Sequence, residues 1–347
     1  MDPNLRQGSR LLSIDMLRGS VMILMALDHV RDFFHAGAMS FSPTDLDRTT
    51  PALFFTRWIT HFCLPVFMFT AGMGTFLWWQ RSKRASAQLS RFLWTRGTWF
   101  ILLEFTVMRF AYNFNFSRQS LLLLLILWIF GICMIAMAAL IYVPIRWLAM
   151  LSVAVIALHN CLDRFLPSQF GSAGWVWNLI HEPGVIALAG RQVLVTYTLL
   201  PWIGVMAAGF CFGKVFTLES TVRQRIMLRI GLSATVTFLV IRAINLYGDP
   251  APWSVQRSAV FTVLSFLNCT KYPASLDFLL MTLGPAILFL AYLDRCSRRA
   301  ANPPANFGYS LWMVYILWCV TVVSLYPICK WFAKVKATRH NWWSGYL

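Results

Sequence analysis

The feature that most constrains this chain is the recurrence of apolar runs about 18–25 residues long, the length of helix that crosses roughly 30 Å of hydrocarbon. They fall near 12–34, 52–79, 92–112, 120–143, 145–161, 193–215, 226–246, 275–293 and 307–329. About nine such runs predict an all-α, polytopic transmembrane bundle with nine to ten crossings. It is read as one integral-membrane domain over 1–347, with a short segment 1–10 before it and a basic, aromatic tail at 330–347. The stretch 258–268 is too short to assign by length, so a tenth crossing, a re-entrant segment and a surface helix stay open. Composition agrees: 58% apolar and only 12% charged residues lie outside the range of a water-soluble domain.

Short-loop Lys and Arg set the expected orientation. Arg81, Lys83, Arg84 and Arg91 form the densest cluster, which places the loop between the second and third runs in the cytoplasm. Arg6 and Arg10 put the N-terminus on the same side, and Lys214, Arg223, Arg225 and Arg229 do the same for the loop after the sixth run. The first helix then runs outward, and 36–51 and 162–192 face the periplasm, lumen or exterior. The basic loop 294–299 and the tail with Lys330, Lys334, Lys336 and Arg339 conflict, because one run separates them. Much of the net charge of +17 lies in these loops, where it anchors to anionic lipid headgroups, and no nucleic-acid partner is implied. Ten residues precede the first run without a small-residue cleavage site, so the first helix is expected to be retained.

The eight cysteines sit almost entirely inside apolar runs with no paired spacing, and read as core filler rather than zinc or iron–sulfur ligands. No metal is expected. His181-Glu182-Pro183-Gly184 lacks the second His of a helical zinc site and reads as loop. No glycine-rich phosphate loop or low-complexity tract is visible.

The argument for function therefore rests on charged groups inside the membrane, which are costly enough to mark functional candidates. The stretch "SIDMLRGSVMILMALDHVRDFFH", 13–35, holds Asp15, Arg18, Asp28, His29, Arg31, Asp32 and His35. Arg18 and His29, eleven residues apart, share a helical face about 16 Å apart along the axis. Asp32 is three residues from both His29 and His35, so its carboxylate can reach either imidazole and raise its basicity. The bland alternative is that these charges cap the helix end, with Arg31 paired to Asp28. Elsewhere Arg57 and His61 share a face of the second run, and Glu104, Arg109, His159 and Arg242 lie in later runs, each open to a reading as a structural ion pair. Lys271-Tyr272-Pro273 lies in a broken segment and is a candidate contact for an acceptor or coenzyme.

These residues resemble a family. Arg10-x4-Asp15-x-Leu17-Arg18-Gly19, an apolar stretch and then His29 is similar to the first helix of acyltransferase-3 type membrane acyltransferases, in which an Arg is followed after ten residues by a His. The closer resemblance is to the heparan-alpha-glucosaminide N-acetyltransferase-like family and its bacterial relatives. It is carried by 13–35, "HFCLPVFMFTAG" (61–72), "LLPWIGVMAAGFCFG" (199–213), "NLYGDP" (245–250) and "TKYPASLDFLLMTLGP" (270–285).

The resemblance implies transfer of an acetyl group from cytosolic acetyl-CoA to a sugar amine or hydroxyl of a glycan on the far side of the membrane. It points to His35 through the context "FFHA", and to His29 through the spacing from Arg18. In the last run, Tyr309 and Trp318 stand where relatives carry Arg and His, which puts a role for that run in doubt. The residues suit acyl transfer: His29 or His35 as base or nucleophile, Asp32 to orient it, Arg18 and Lys271 for the coenzyme, and Asp15, Asp28, Arg57, His61, Glu104 and Arg242 as supporting polar groups. Two further readings stay open, a secondary transporter of an anionic solute or lipid headgroup and a catalytically inactive scaffold.

Overall fold

In the computed structural model of the chain the described residues are 11–35, 40–82, 85–114, 121–188 and 190–299, with Ile316. The chain divides into two units, Met1–Ser297 and Arg298–Leu347. The run 307–329, with Tyr309 and Trp318, and the tail 330–347 belong to the second unit and, Ile316 apart, lie outside the described residues; Arg6, Arg10, Ala36, Lys83 and Arg84 of the first unit also lie outside them.

The first unit is a helical bundle. Helix α1 (Leu12–Phe34) is followed by α2 (Pro51–Thr60), α3 (Cys63–Ser82) and α4 (Ser86–Leu103), which runs through a π-helical turn at Glu104–Met108 into α5 (Arg109–Asn113). Then come strand β1 (Leu122–Leu124), α6 (Ile126–Leu140), α7 (Ile145–Leu158), α8 (Gly174–Ile180) and strands β2 (Gly184–Leu188) and β3 (Arg191–Val195). Helices α9 (Leu199–Phe212), α10 (Ser220–Ile244), α11 (Ala259–Leu267) and α12 (Leu276–Arg299) complete it. Among the described residues five helical segments are long and apolar enough to cross a membrane: Pro51–Ser82, Ile145–Leu162, Leu199–Thr217, Ser220–Ile244 and Leu276–Ser297. With its 23 residues, α1 has the length as well, about 34 Å at 1.5 Å per residue.

Three expectations are corrected. The run 193–215 opens as strand β3, and helix begins only at Leu199. The run 120–143 likewise opens with β1, which pairs parallel to β3, while β2 pairs antiparallel to it. A short continuous apolar run is compatible with a buried strand as well as a helix, so hydropathy alone hid this three-stranded sheet. In the third case, α6 retains only 15 residues, roughly 22 Å of helix and short of the hydrocarbon thickness. The undecided stretch at 258–268 is α11, nine residues long and far too short to cross.

Small residues let the spans approach closely, as in membrane helix packing generally. A Cβ on Gly72 of α3 would lie 2.0 Å from the carbonyl oxygen of Met206 in α9, and one on Gly209 would lie 2.0 Å from that of Phe69. Gly97 of α4 and Gly131 of α6 meet in the same reciprocal way, at 2.6 and 2.7 Å. The α3–α9 crossing sits inside the main core, beside the fully buried Trp202.

Candidate functional site

Helix α1 buries Ile14, Leu17 and Val21, spaced by three and four residues, and near its far end Arg31. That stripe leads to Asp28, whose carboxylate gathers three neighbours. Arg57 Nη1 donates to both of its oxygens at 2.8 Å, Arg31 Nη2 to Oδ1 at 2.8 Å, and Thr60 Oγ1 to Oδ1 at 2.9 Å. Arg31 also pairs with Asp32 at 2.5 Å. Two guanidiniums against two carboxylates leave little net charge, which is how a low-dielectric interior tolerates such groups.

His61 follows directly. It closes α2, and the next helix starts at Cys63. Pro65 in the first turn of α3 has no N–H to return to the carbonyl of residue 61, so the 32-residue span Pro51–Ser82 breaks here. The His61 ring packs on Phe278 of α12, centroids 5.4 Å apart, and its buried Nδ1 has no hydrogen-bond partner among the described residues.

Beside this break lies a cavity of about 300 Å³, lined by Arg57, His61, Lys271 and Tyr272 together with Ser42, Thr44, Asn268 and Thr270. The Lys271 ammonium sits 5.2 Å from the centre of the Tyr272 ring, and the hydroxyls of Tyr272 and Tyr197 are 3.2 Å apart. Burial alone would raise the Tyr272 phenol, but Lys271, the hydrogen bond with Tyr197 and Arg57 bring it below its ordinary value. Burial pushes the Tyr197 phenol up.

The 268–276 segment that supplies one wall is clamped from behind. Arg242, 2% exposed, donates to the carbonyls of Phe266, Ser265 and Asn268 at 2.9, 3.2 and 3.0 Å and to that of Ala251 at 3.0 Å. It thereby satisfies the carbonyls left open at the end of α11. Asp277 and Asp249 lie 3.6 and 3.9 Å from it. Asp249, in "NLYGDP", accepts from the Thr270 N–H and hydroxyl and from the Ser275 hydroxyl, each at 2.7 Å. From the turn that follows α7, His159 Nε2 lies 2.8 Å from the carbonyl of Ala274, and Asn160 Oδ1 accepts from Leu276 N at 2.8 Å. Asn160 also donates to Asp163, which pairs with the buried His181 at 2.8 Å.

The other end of α1 differs. Arg18 Nη2 donates to the carbonyl of Thr70 in α3 at 2.6 Å, and Gly74, one turn on, leaves room for the guanidinium: a Cβ there would sit 2.8 Å from Nη2. A cavity of about 490 Å³ opens at this end, lined by Asp15, Arg18, Trp78, Arg81 and Ser82 with Leu11, Ile14 and Leu77. Arg18 and Asp28 are ten residues apart on one helix, so the two ends are separated by about 15 Å along its axis.

The structure thus brings together Asp28, Arg57, His61 and Lys271 from the sequence candidates. Arg18 and Asp15 share the second cavity, so Arg18 and Lys271 do not meet. His29, Asp32 and His35 are exposed at the end of α1, His29 stacked on Phe33 with centroids 6.5 Å apart. Glu104, 2% exposed, accepts from the N–H groups of Leu125 and Trp128 at 3.3 and 3.0 Å and so caps the start of α6. Sequence reasoning missed Thr60 and Tyr197, which carry no charge to flag them. It also read past His181, whose place in a loop hides a buried ring. Among the described residues no group of three His, Cys, Asp or Glu is arranged to hold a metal ion.

Fold and site define an integral membrane protein with a polar cavity at each end of its first helix. Residues 10–247 match the family described as Heparan-alpha-glucosaminide N-acetyltransferase, catalytic, and the chain belongs to that family. No curated protein and no solved structure is matched. The matched segment contains Arg18, Asp28, Arg57 and His61, and ends before Ala251 and the 268–272 wall of the smaller cavity.

Proposed function

We propose that this chain transfers an acetyl group from acetyl-CoA to the amine or hydroxyl of a sugar acceptor, across a bacterial inner membrane, with the N-terminus in the cytoplasm. The observation that carries this reading is the pair of cavities at the two ends of α1 in a member of an acetyltransferase family. The larger cavity, with Arg18 and Arg81 on its wall, suits the phosphates of a coenzyme: among the described residues Arg18 bonds to the carbonyl of Thr70, and its planar fork can take an anion. The smaller, with hydroxyls, an amide and Lys271, suits a polyhydroxylated acceptor. An arm extended along α1 has about 15 Å to cover between them. Lys271 supports the developing negative charge.

Two measurements test it. Purified protein in detergent should be stabilised thermally by acetyl-CoA more than by a panel of anionic solutes, and should move labelled acetyl to glucosamine. Stabilisation by an anionic solute without acetyl transfer favours a transporter instead. For sidedness, a cysteine at Ser42 should label from outside intact cells and one at Ser82 should not. The reverse pattern would invert the arrangement.

A further inference from the structure

His61 has features that none of the other candidate histidines combines. It is 3% exposed, it lines the smaller cavity, and its sealed Nδ1 bonds to no described residue. Because Nδ1 is sealed from the cavity, the ring can meet an occupant there only through Nε2. The break before Pro65 is what turns residue 61 out of the helical ladder at this depth. The cavity, about 300 Å³, has room for roughly ten water volumes, the size of a single sugar ring. Its wall alternates hydroxyl, amide and cationic groups as a polyol requires.

We propose that His61 is the group that touches the acceptor and takes its proton, an assignment that rests on the acetyl-transfer reading. As the acceptor nitrogen or oxygen forms its bond to the thioester carbonyl, its proton passes to the His61 imidazole. The carbon–sulfur bond then breaks, and the departing thiolate receives that proton. Lys271 and Tyr272, on the same cavity wall, face the charge that develops on the carbonyl oxygen. Arg57 is held by Asp28 and contributes position rather than a mobile charge.

The test uses the full chain in lipid nanodiscs with acetyl-CoA and glucosamine. His61→Ala should lower kcat by about 10²–10⁴-fold, the loss typical of a removed general base, while thermal stabilisation by acetyl-CoA is unchanged. Added imidazole should restore at least about tenfold, because the deleted side chain enlarges a cavity that can admit it. His61→Gln, which keeps the volume but cannot carry the proton, should be equally slow and should not respond to imidazole. Turnover of His61→Ala near that of the parent, or a loss that imidazole leaves unrestored, overturns the assignment and leaves acetyl transfer standing. A parent protein that acetylates no sugar sinks the acetyl-transfer reading itself, and the role of His61 with it.

Discussion

The two ends of α1 hold charge in opposite ways. At the Asp28 end, Arg31, Arg57 and Thr60 converge on one carboxylate, so helices α1 and α2 are tied together and the charges cancel locally. At the other end the Arg18 guanidinium donates, among the described residues, to the carbonyl of Thr70 and borders an open cavity that it shares with Asp15 and Arg81. A charge within a membrane bundle is therefore not a single kind of evidence: one that is neutralised by neighbours is architecture, and one left with spare donors beside space is prepared for a ligand.

The comparison makes its largest prediction at Asp28. Asp28→Asn removes the shared acceptor charge, leaving Arg57 without its carboxylate partner and Arg31 with Asp32 alone, which should cost about 3–5 kcal/mol of stability. A lowered unfolding temperature in detergent would show it, and an unchanged one would mean that the cluster is solvated rather than structural.

Arg18→Ala should reverse that pattern. Stability should change little, while acetyl-CoA affinity, measured by calorimetric titration, should fall about 10–100-fold, as expected for lost hydrogen bonds to a charged ligand. Arg18→Lys should recover only part, since a point charge lacks the planar fork. An unaltered affinity in the folded alanine variant would reduce Arg18 to a helix-end anchor.

The smallest effects come from two glycines two residues apart in the "AGMG" stretch 71–74, and they sharpen the contrast. Gly74→Ala would meet only the movable end of Arg18, at 2.8 Å, so a few-fold loss of coenzyme affinity with near-normal stability is expected. Gly72→Ala would meet a backbone oxygen at 2.0 Å and should destabilise the α3–α9 crossing without a specific effect on affinity. Equal unfolding temperatures for the two variants would contradict the packing described.

Much of this was legible in the sequence, for identifiable reasons. Long apolar runs gave the bundle, and the cost of burying charge named Asp28, Arg57 and His61 as supporting polar groups, behind His29, His35 and Asp32 as the catalytic candidates. What hydropathy could not reveal was direction: whether Arg242 reached a ligand or the carbonyls closing α11, and whether Glu104 faced a site or the start of α6. Nor could it see β1, β2 and β3, whose apolar residues look the same whether they pair as strands or continue a helix. Tyr197 and Thr60 were silent because an uncharged hydroxyl in a membrane run is cheap until its neighbour is known.

One wall of the smaller cavity, Ala251 and 268–272, lies beyond the stretch 10–247 matched to the family. On the proposed reading the acceptor would be recognised partly by that wall and the coenzyme by residues inside the matched stretch, so a change of acceptor would not require a change of donor.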